Sequence, residues 1–156
     1  MAAPMTTRHR LTFDGAIQSP TGPAGTPWRR ISHGFRLSGM LQYYSALPFN
    51  ITSGLNTIQG TAGRPLVNGA FISRNAGIGN DFFSVNVRLS RAFQVRERLR
   101  LEGIAEAFNA LNHLNNLTRN GNFGAGAYPA NPSLTFGRIN AVNDPRIFQL
   151  ALRLTF

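Results

Sequence analysis

The chain has 156 residues, enough for one domain with a core, and it carries no cysteine, which excludes disulfide scaffolds and thiolate metal sites. Its formal charge of +10 comes from sixteen arginines and no lysine against six acidic residues. Such an excess suits a polyanion, yet the arginines are spread from Arg8 to Arg153 without clustering on a helix or interleaving with stacking aromatics, so no nucleic-acid partner is expected. No run approaches the roughly 18 apolar residues of a membrane helix, so any membrane role must come through alternating strands.

Residues 1–10, Met-Ala-Ala-Pro-Met-Thr-Thr-Arg-His-Arg, hold no apolar signal-peptide core. An exported chain needs one, so the sequence is expected to be either cytosolic or the tail of a longer exported protein. Alternation predicts a first strand over 8–18, with Leu11, Phe13, Gly15 and Ile17 in one phase and Arg10, Thr12, Asp14 and Ala16 in the other. Three prolines and two glycines over 19–27 end it, and Trp28, Arg29 and Arg30 close the connection. Trp28 suits an interfacial belt or an ordinary core equally.

A second strand is predicted over 31–50, with Phe35, Leu37, Gly39, Leu41 and Tyr43 opposed to Arg36, Ser38, Met40, Gln42 and Tyr44. Residues 55–80 are rich in Gly, Asn and Thr and read as a long loop. A third strand spans 82–93, where Phe83, Val85, Val87 and Leu89 oppose Ser84, Asn86, Arg88 and Ser90. After a short connection at 94–97 comes a fourth over 97–109, with Leu99, Leu101, Gly103, Ala105 and Ala107 against Arg98, Arg100, Ile104, Glu102 and Glu106. Leu101, Ile104, Ala105, Phe108, Leu111 and Leu114 also fit helical spacing, so 100–117 is ambiguous; the neighbouring strands favour strand to about Asn109 and a helical turn around 110–116. Residues 117–144 form a second long loop.

The chain ends in Pro145-Arg-Ile-Phe-Gln-Leu-Ala-Leu-Arg-Leu-Thr-Phe156, predicted as a strand over 146–156. Phe148, Leu150, Leu152, Leu154 and Phe156 occupy one phase, and Ile147, Gln149, Ala151, Arg153 and Thr155 the other. An amphipathic edge strand of a soluble sandwich can alternate in this way. The ending on an aromatic residue resembles the C-terminal assembly signal of bacterial outer-membrane β-barrels, which the insertion machinery reads.

If the apolar phases face lipid, then Arg10, Asp14, Arg36, Arg88, Arg98, Arg100, Glu102, Glu106 and Arg153 all face away from it, into a lumen. Arg91 and Arg146 break the phase, and each is expected near a strand end, where a long side chain snorkels. Catalysis is not expected. Glu102 and Glu106 share a phase with Arg98 and Arg100, which makes them ion-pair partners before an acid–base pair. His9, His33 and His113 lack metal-ligand spacing, and the glycines of 121–126 lack the Gly-Lys-Ser/Thr ending of a phosphate loop, so no metal and no cofactor is expected.

With these pieces in order, the chain resembles the C-terminal barrel segment of TonB-dependent outer-membrane receptors, particularly the Oar-like group. The resemblance rests on Arg10-Leu11 leading to Ser19-Pro20, Phe35-Arg-Leu-Ser-Gly39 leading to Ser45-Ala-Leu-Pro-Phe49, and Asn86-Val-Arg-Leu-Ser-Arg-Ala-Phe93. It continues through Glu106-Ala-Phe-Asn-Ala-Leu-Asn-His113, Phe136-Gly-Arg-Ile139 and Asp144-Pro-Arg through Phe156. Ala46 stands where the family usually has Gly, and Asn86 where Asp is common. The resemblance implies an outer-membrane location, contact with outer-membrane lipid and lipopolysaccharide, assembly by the barrel-assembly machinery, and engagement of TonB only through N-terminal regions that this sequence lacks. Such receptors have barrels of about 22 strands, so the chain would supply about a quarter of the wall.

The expected fold is therefore all-β: an antiparallel meander of about five strands, an incomplete part of a transmembrane β-barrel with two long loops. The competing expectation is a small soluble all-β protein that uses its arginines on an acidic partner.

Overall fold

The computed structural model describes residues 9–20 and 32–156. The expectations for Trp28, Arg29 and Arg30 lie outside the described residues. The chain divides into two compact units, one of residues 11–42, 83–113 and 144–156, the other of 1–10, 43–82 and 114–143.

The first unit is built on a five-stranded sheet of β1 (Arg10–Gln18), β2 (Phe35–Tyr44), β7 (Phe82–Arg96), β8 (Leu99–Phe108) and β11 (Ile147–Thr155), in that spatial order. The sheet is a meander. β7 and β8 pair antiparallel, as do β8 and β11. Backbone bonds from Ser19 N–H to the Phe35 carbonyl and from Ala92 N–H to the Gly34 carbonyl tie β1 to β2 and β2 to β7 in the same sense. β1 and β11 are the two edges, so the sheet is open, as part of a barrel must be. Four of the strands are 9 or 10 residues long, the length that crosses a bilayer at a barrel's tilt.

Strand boundaries differ most from the sequence expectation at the ends of β2 and β7. β2 stops at Tyr44, well before residue 50, because Asp81 Oδ1 takes the Ala46 N–H and Pro48 offers no N–H to continue the ladder. β7 runs to Arg96, past 93, and the connection at 94–97 shrinks to a two-residue turn at Glu97 and Arg98, leaving Arg98 outside the strand phase. A bulge between Gln94 and Arg96 absorbs the change of register. Residues 100–108 are strand, and the helical turn expected at 110–116 is absent. There Asn109 and Asn112 adopt left-handed φ values of 47° and 53°, which a right-handed helix does not admit.

The second unit holds most of the two long loops, 55–80 and 117–144, and gives them an order that the sequence reading did not include. Short pairings fill it: β3 (Pro48–Phe49) with β6 (Gly77–Ile78), β4 (Leu66–Val67) with β5 (Ala70–Phe71), and β9 (Asn116–Arg119) with β10 (Ile139–Val142). Asn68 and Gly69, both at positive φ, make the tight turn between β4 and β5. Ile51 and Phe123 are the buried apolar residues among those described, and both belong to this unit. Phe123 is packed edge-on by Tyr128 and Phe136 at centroid distances of 4.9 and 5.1 Å. Glycine at 121 is required by a close backbone approach, because a Cβ there would collide with the Asn50 carbonyl.

Candidate functional site: a two-faced sheet

Alternation along each strand and the register between strands sort the sheet into two faces. On one, Val87, Leu89 and Phe93 of β7 stand opposite Ala107, Ala105 and Leu101 of β8, and these in turn stand opposite Phe148, Leu150 and Leu154 of β11. Leu152 faces Gly103 in the same row. This face is apolar and uncovered: Leu150 is 84% exposed and Leu152 79%. Among the described residues of this unit the buried side chains are the polar Ser84, Ser90 and Asn109, and no apolar one is buried. A soluble domain of this size inverts that pattern, because apolar burial is what offsets the entropy of folding.

The opposite face carries the charges. Arg88 stands across from Glu106 and bonds it at 3.2 Å; Arg153 stands across from Glu102 at 3.8 Å. Arg100 is across from Thr155 in the same phase. Asp14 and Arg36 border a hollow with Arg88 and Glu106, which brings the charged residues of β1 and β2 to the same face. Thus Asp14, Arg36, Arg88, Arg100, Glu102, Glu106 and Arg153 share one surface, while Phe148, Leu150, Leu152 and Leu154 share the other, with Phe156 following at the end of β11. Both ion pairs are partly solvated, so each is worth at most about 1 kcal/mol, and their importance is in fixing register and charge.

Arg91 lies on the apolar face, and since β7 extends to Arg96 it lies inside the strand and not near its end. Its guanidinium is held between the Phe35 and Phe93 rings, 4.6 Å from each centroid. Stacking of this kind, worth about 0.5–2 kcal/mol, lets a cation remain on an aromatic-lined face. Arg146 precedes β11 and lies over Phe148 at 5.4 Å, as its place at a strand end leads one to expect.

The sequence piece Glu106-Ala-Phe-Asn-Ala-Leu-Asn-His113 has a physical role in this unit. The Asn109 side chain, in a residue only 4% exposed, donates to the His113 and Asp144 carbonyls and accepts the His113 N–H. Its own N–H donates to Asn86 Oδ1, and Asn112 Oδ1 accepts the Arg146 N–H at the entry to β11. One turn therefore joins β7, β8 and the start of the last strand. Asn86 supplies an acceptor oxygen, as an Asp at that position would, so either residue type can hold the turn. Ala46 has its N–H bonded to Asp81.

In the loop unit, Asp81 also accepts the Tyr43 hydroxyl, and Arg10 lies over Tyr44, which stacks on Phe82 at 5.1 Å. The sequence reading missed this order. The Asn68-Gly69 pair between Leu66-Val67 and Ala70-Phe71 was the signal for one hairpin. The Phe123 cluster left no such local mark, because its three rings come from separated positions.

Five strands with an uncovered apolar face, a charged reverse face and open edges are the wall of a membrane barrel. The model of the outer membrane beta barrel domain family matches residues 71–149, just over half of the chain. The chain belongs to that family. The match covers the β7–β8 hairpin, the Asn109 turn and the start of β11. No curated protein and no solved structure matches the chain. As an outer membrane beta barrel domain, the protein resides in the outer membrane, and the soluble reading is set aside. No helix among the described residues is long and apolar enough to cross a membrane, so the strands are what cross it.

Proposed function

We propose that this barrel domain is the C-terminal part of the wall of a TonB-dependent receptor of the Oar-like kind, acting in substrate uptake and not in catalysis, and that it is not competent alone. The observation that carries the reading is β11. It is a sheet edge whose Phe148, Leu150, Leu152 and Leu154 lie in one exposed apolar row. Such a strand presents the assembly machinery with an apolar lipid side and a free row of backbone donors and acceptors. The ordered pieces from Arg10-Leu11 to the terminal strand support the receptor assignment, the charged face supplies a lumen lining, and lipid and lipopolysaccharide are the surroundings of the apolar face.

The test has two arms. The genomic stretch upstream of Met1 should continue in frame through a plug domain and further strands. A full-length protein ending in this sequence should sediment with the outer membrane and support uptake that stops when TonB is removed. Uptake indifferent to TonB would leave a barrel of another kind and defeat the receptor assignment.

A further inference from the structure

Toward the end of the sheet where the short connection at 97–98 lies, the charged face holds a hollow of about 530 Å³ bordered by Arg36, Arg88, Arg100, Arg153 and Glu102. Four guanidiniums meet one carboxylate there. Arg88 is engaged by Glu106 and Arg153 by Glu102. Arg36 and Arg100 are exposed, and among the described residues neither has a carboxylate within ion-pair distance. Arg36 also borders the neighbouring hollow with Asp14, but the two are not within ion-pair distance, so Arg36 and Arg100 are the guanidiniums here without a close carboxylate. The neutral groups beside them, Ser38, Ser90 and Thr155, are hydroxyls able to donate.

We infer that this hollow is a binding site for a compact oxyanion of two negative charges, a phosphate, a sulfate or a dicarboxylate group. The guanidinium fork matches two oxygens of such a group at once, and a hydroxyl can serve a third. The volume falls within the ordinary range of small-ligand sites, about 300–1,000 Å³. A monoanion would leave one arginine uncompensated, and a cation would meet only Glu102, already committed to Arg153. That the ligand is a solute inside the barrel rests on the proposed function; the anion site itself rests on the charged face alone.

The probe is inorganic phosphate, titrated into the full-length protein that contains this sequence, in detergent micelles against sodium chloride at equal ionic strength, with the arginine Nε–H signals followed by NMR. Saturable shifts are expected at Arg36 and Arg100 and none at Arg74 and Arg138, which are exposed in the other unit. Arg36→Gln and Arg100→Gln should each weaken binding about tenfold or more, the usual loss for a charge-assisted bond, and Glu102→Gln should strengthen it. Dispersed strand signals in the same spectra show which variants fold, and either arginine substitution suffices. Sulfate and succinate arms separate the three kinds of oxyanion. No saturable shift, or equal shifts at Arg74 and Arg138, would mean a counter-ion atmosphere without a site and would overturn the proposal. Spin-labelled lipid added to the micelles should broaden the methyls of Leu150 and Leu152 and spare Arg36; broadening of Arg36 would defeat the barrel-wall reading, whatever phosphate does.

Discussion

Leu152 of β11 stands directly across from Gly103 of β8, with the end of its side chain 4.0 Å from where a Cβ on that glycine would lie. One residue further on, Arg153 stands across from Glu102. Neighbouring positions on one strand thus meet opposite environments, an open apolar surface and an ion pair. Glycine at 103 leaves the leucine room on the apolar side, so the row from Leu101 to Ala107 stays low beneath the large side chains of β11.

That contrast yields a paired prediction. Leu152→Arg places a charge at mid-strand on the lipid face and should cost about 2–4 kcal/mol of insertion stability. Arg153→Gln removes one member of a solvated pair and should cost less than about 1 kcal/mol. Heat-modifiable mobility on gels, measured in the full-length protein, reads both. Equal assembly of the two variants would refute the face assignment.

Asn109 is the second point of leverage. Asn109→Ala removes three side-chain bonds from a buried site and puts alanine at a left-handed φ of 47°, for a combined loss of about 2–4 kcal/mol. Asn109→Gly accepts the backbone but still loses the bonds, and should fall between alanine and wild type. Resistance of folded barrel to urea in detergent ranks the three. If glycine matches wild type, the side-chain bonds to His113 and Asp144 contribute nothing.

What was legible in the sequence follows from the period of two. Wherever a strand exposes one face to lipid and one to charge, as in β1, β2, β8 and β11, the alternation survives in the residues, and a shift of one residue would have inverted it. Over residues 100–108, where helical spacing competed, alternation alone did not decide, and the neighbouring strands had to tip the reading to the strand that the structure shows. The ends of strands were harder. Whether β7 stops at 93 or 96 depends on a bulge at Gln94–Arg96, and where β2 stops depends on Asp81, thirty-odd residues away. Arg91 was legible as an exception, but its accommodation between Phe35 and Phe93 needed the pairing of β2 with β7. Apart from the Asn68-Gly69 hairpin, the order of the loop unit left no periodic mark, because Phe123, Tyr128 and Phe136 come singly from a stretch with neither strand nor helix spacing.

The folded loop unit changes what proteolysis should see. The connection at 97–98 lies at one end of the meander, and the stretches 45–81 and 109–146 leave from the other. Outer-membrane barrels put short turns in the periplasm, which makes the long stretches extracellular. Protease added to intact cells should cut first at the exposed tips near Ile58 and Leu134, and should spare 119–124 around Phe123. Phe123→Ala, which empties a site of about 3–5 kcal/mol, should open that segment to cleavage. Cutting that requires permeabilised cells would reverse the topology.

The last prediction concerns the chain by itself. Its sheet leaves β1 and β11 unpaired, and because five strands alternate in direction, these two edges run the same way. They cannot close on one another as an antiparallel pair, and bacterial single-chain barrels use even strand numbers of at least eight. In hydrocarbon each unpaired backbone group costs several kcal/mol, so open edges do not face lipid. In water the exposed row of Phe148, Leu150, Leu152 and Leu154 drives association, and the free edges give it a template. The purified chain should therefore aggregate in plain buffer and stay dispersed in detergent, as read by light scattering across a detergent dilution series. A monodisperse detergent-free monomer with a single cooperative thermal transition would require a buried apolar core that the sheet lacks, and would overturn its assignment as barrel wall.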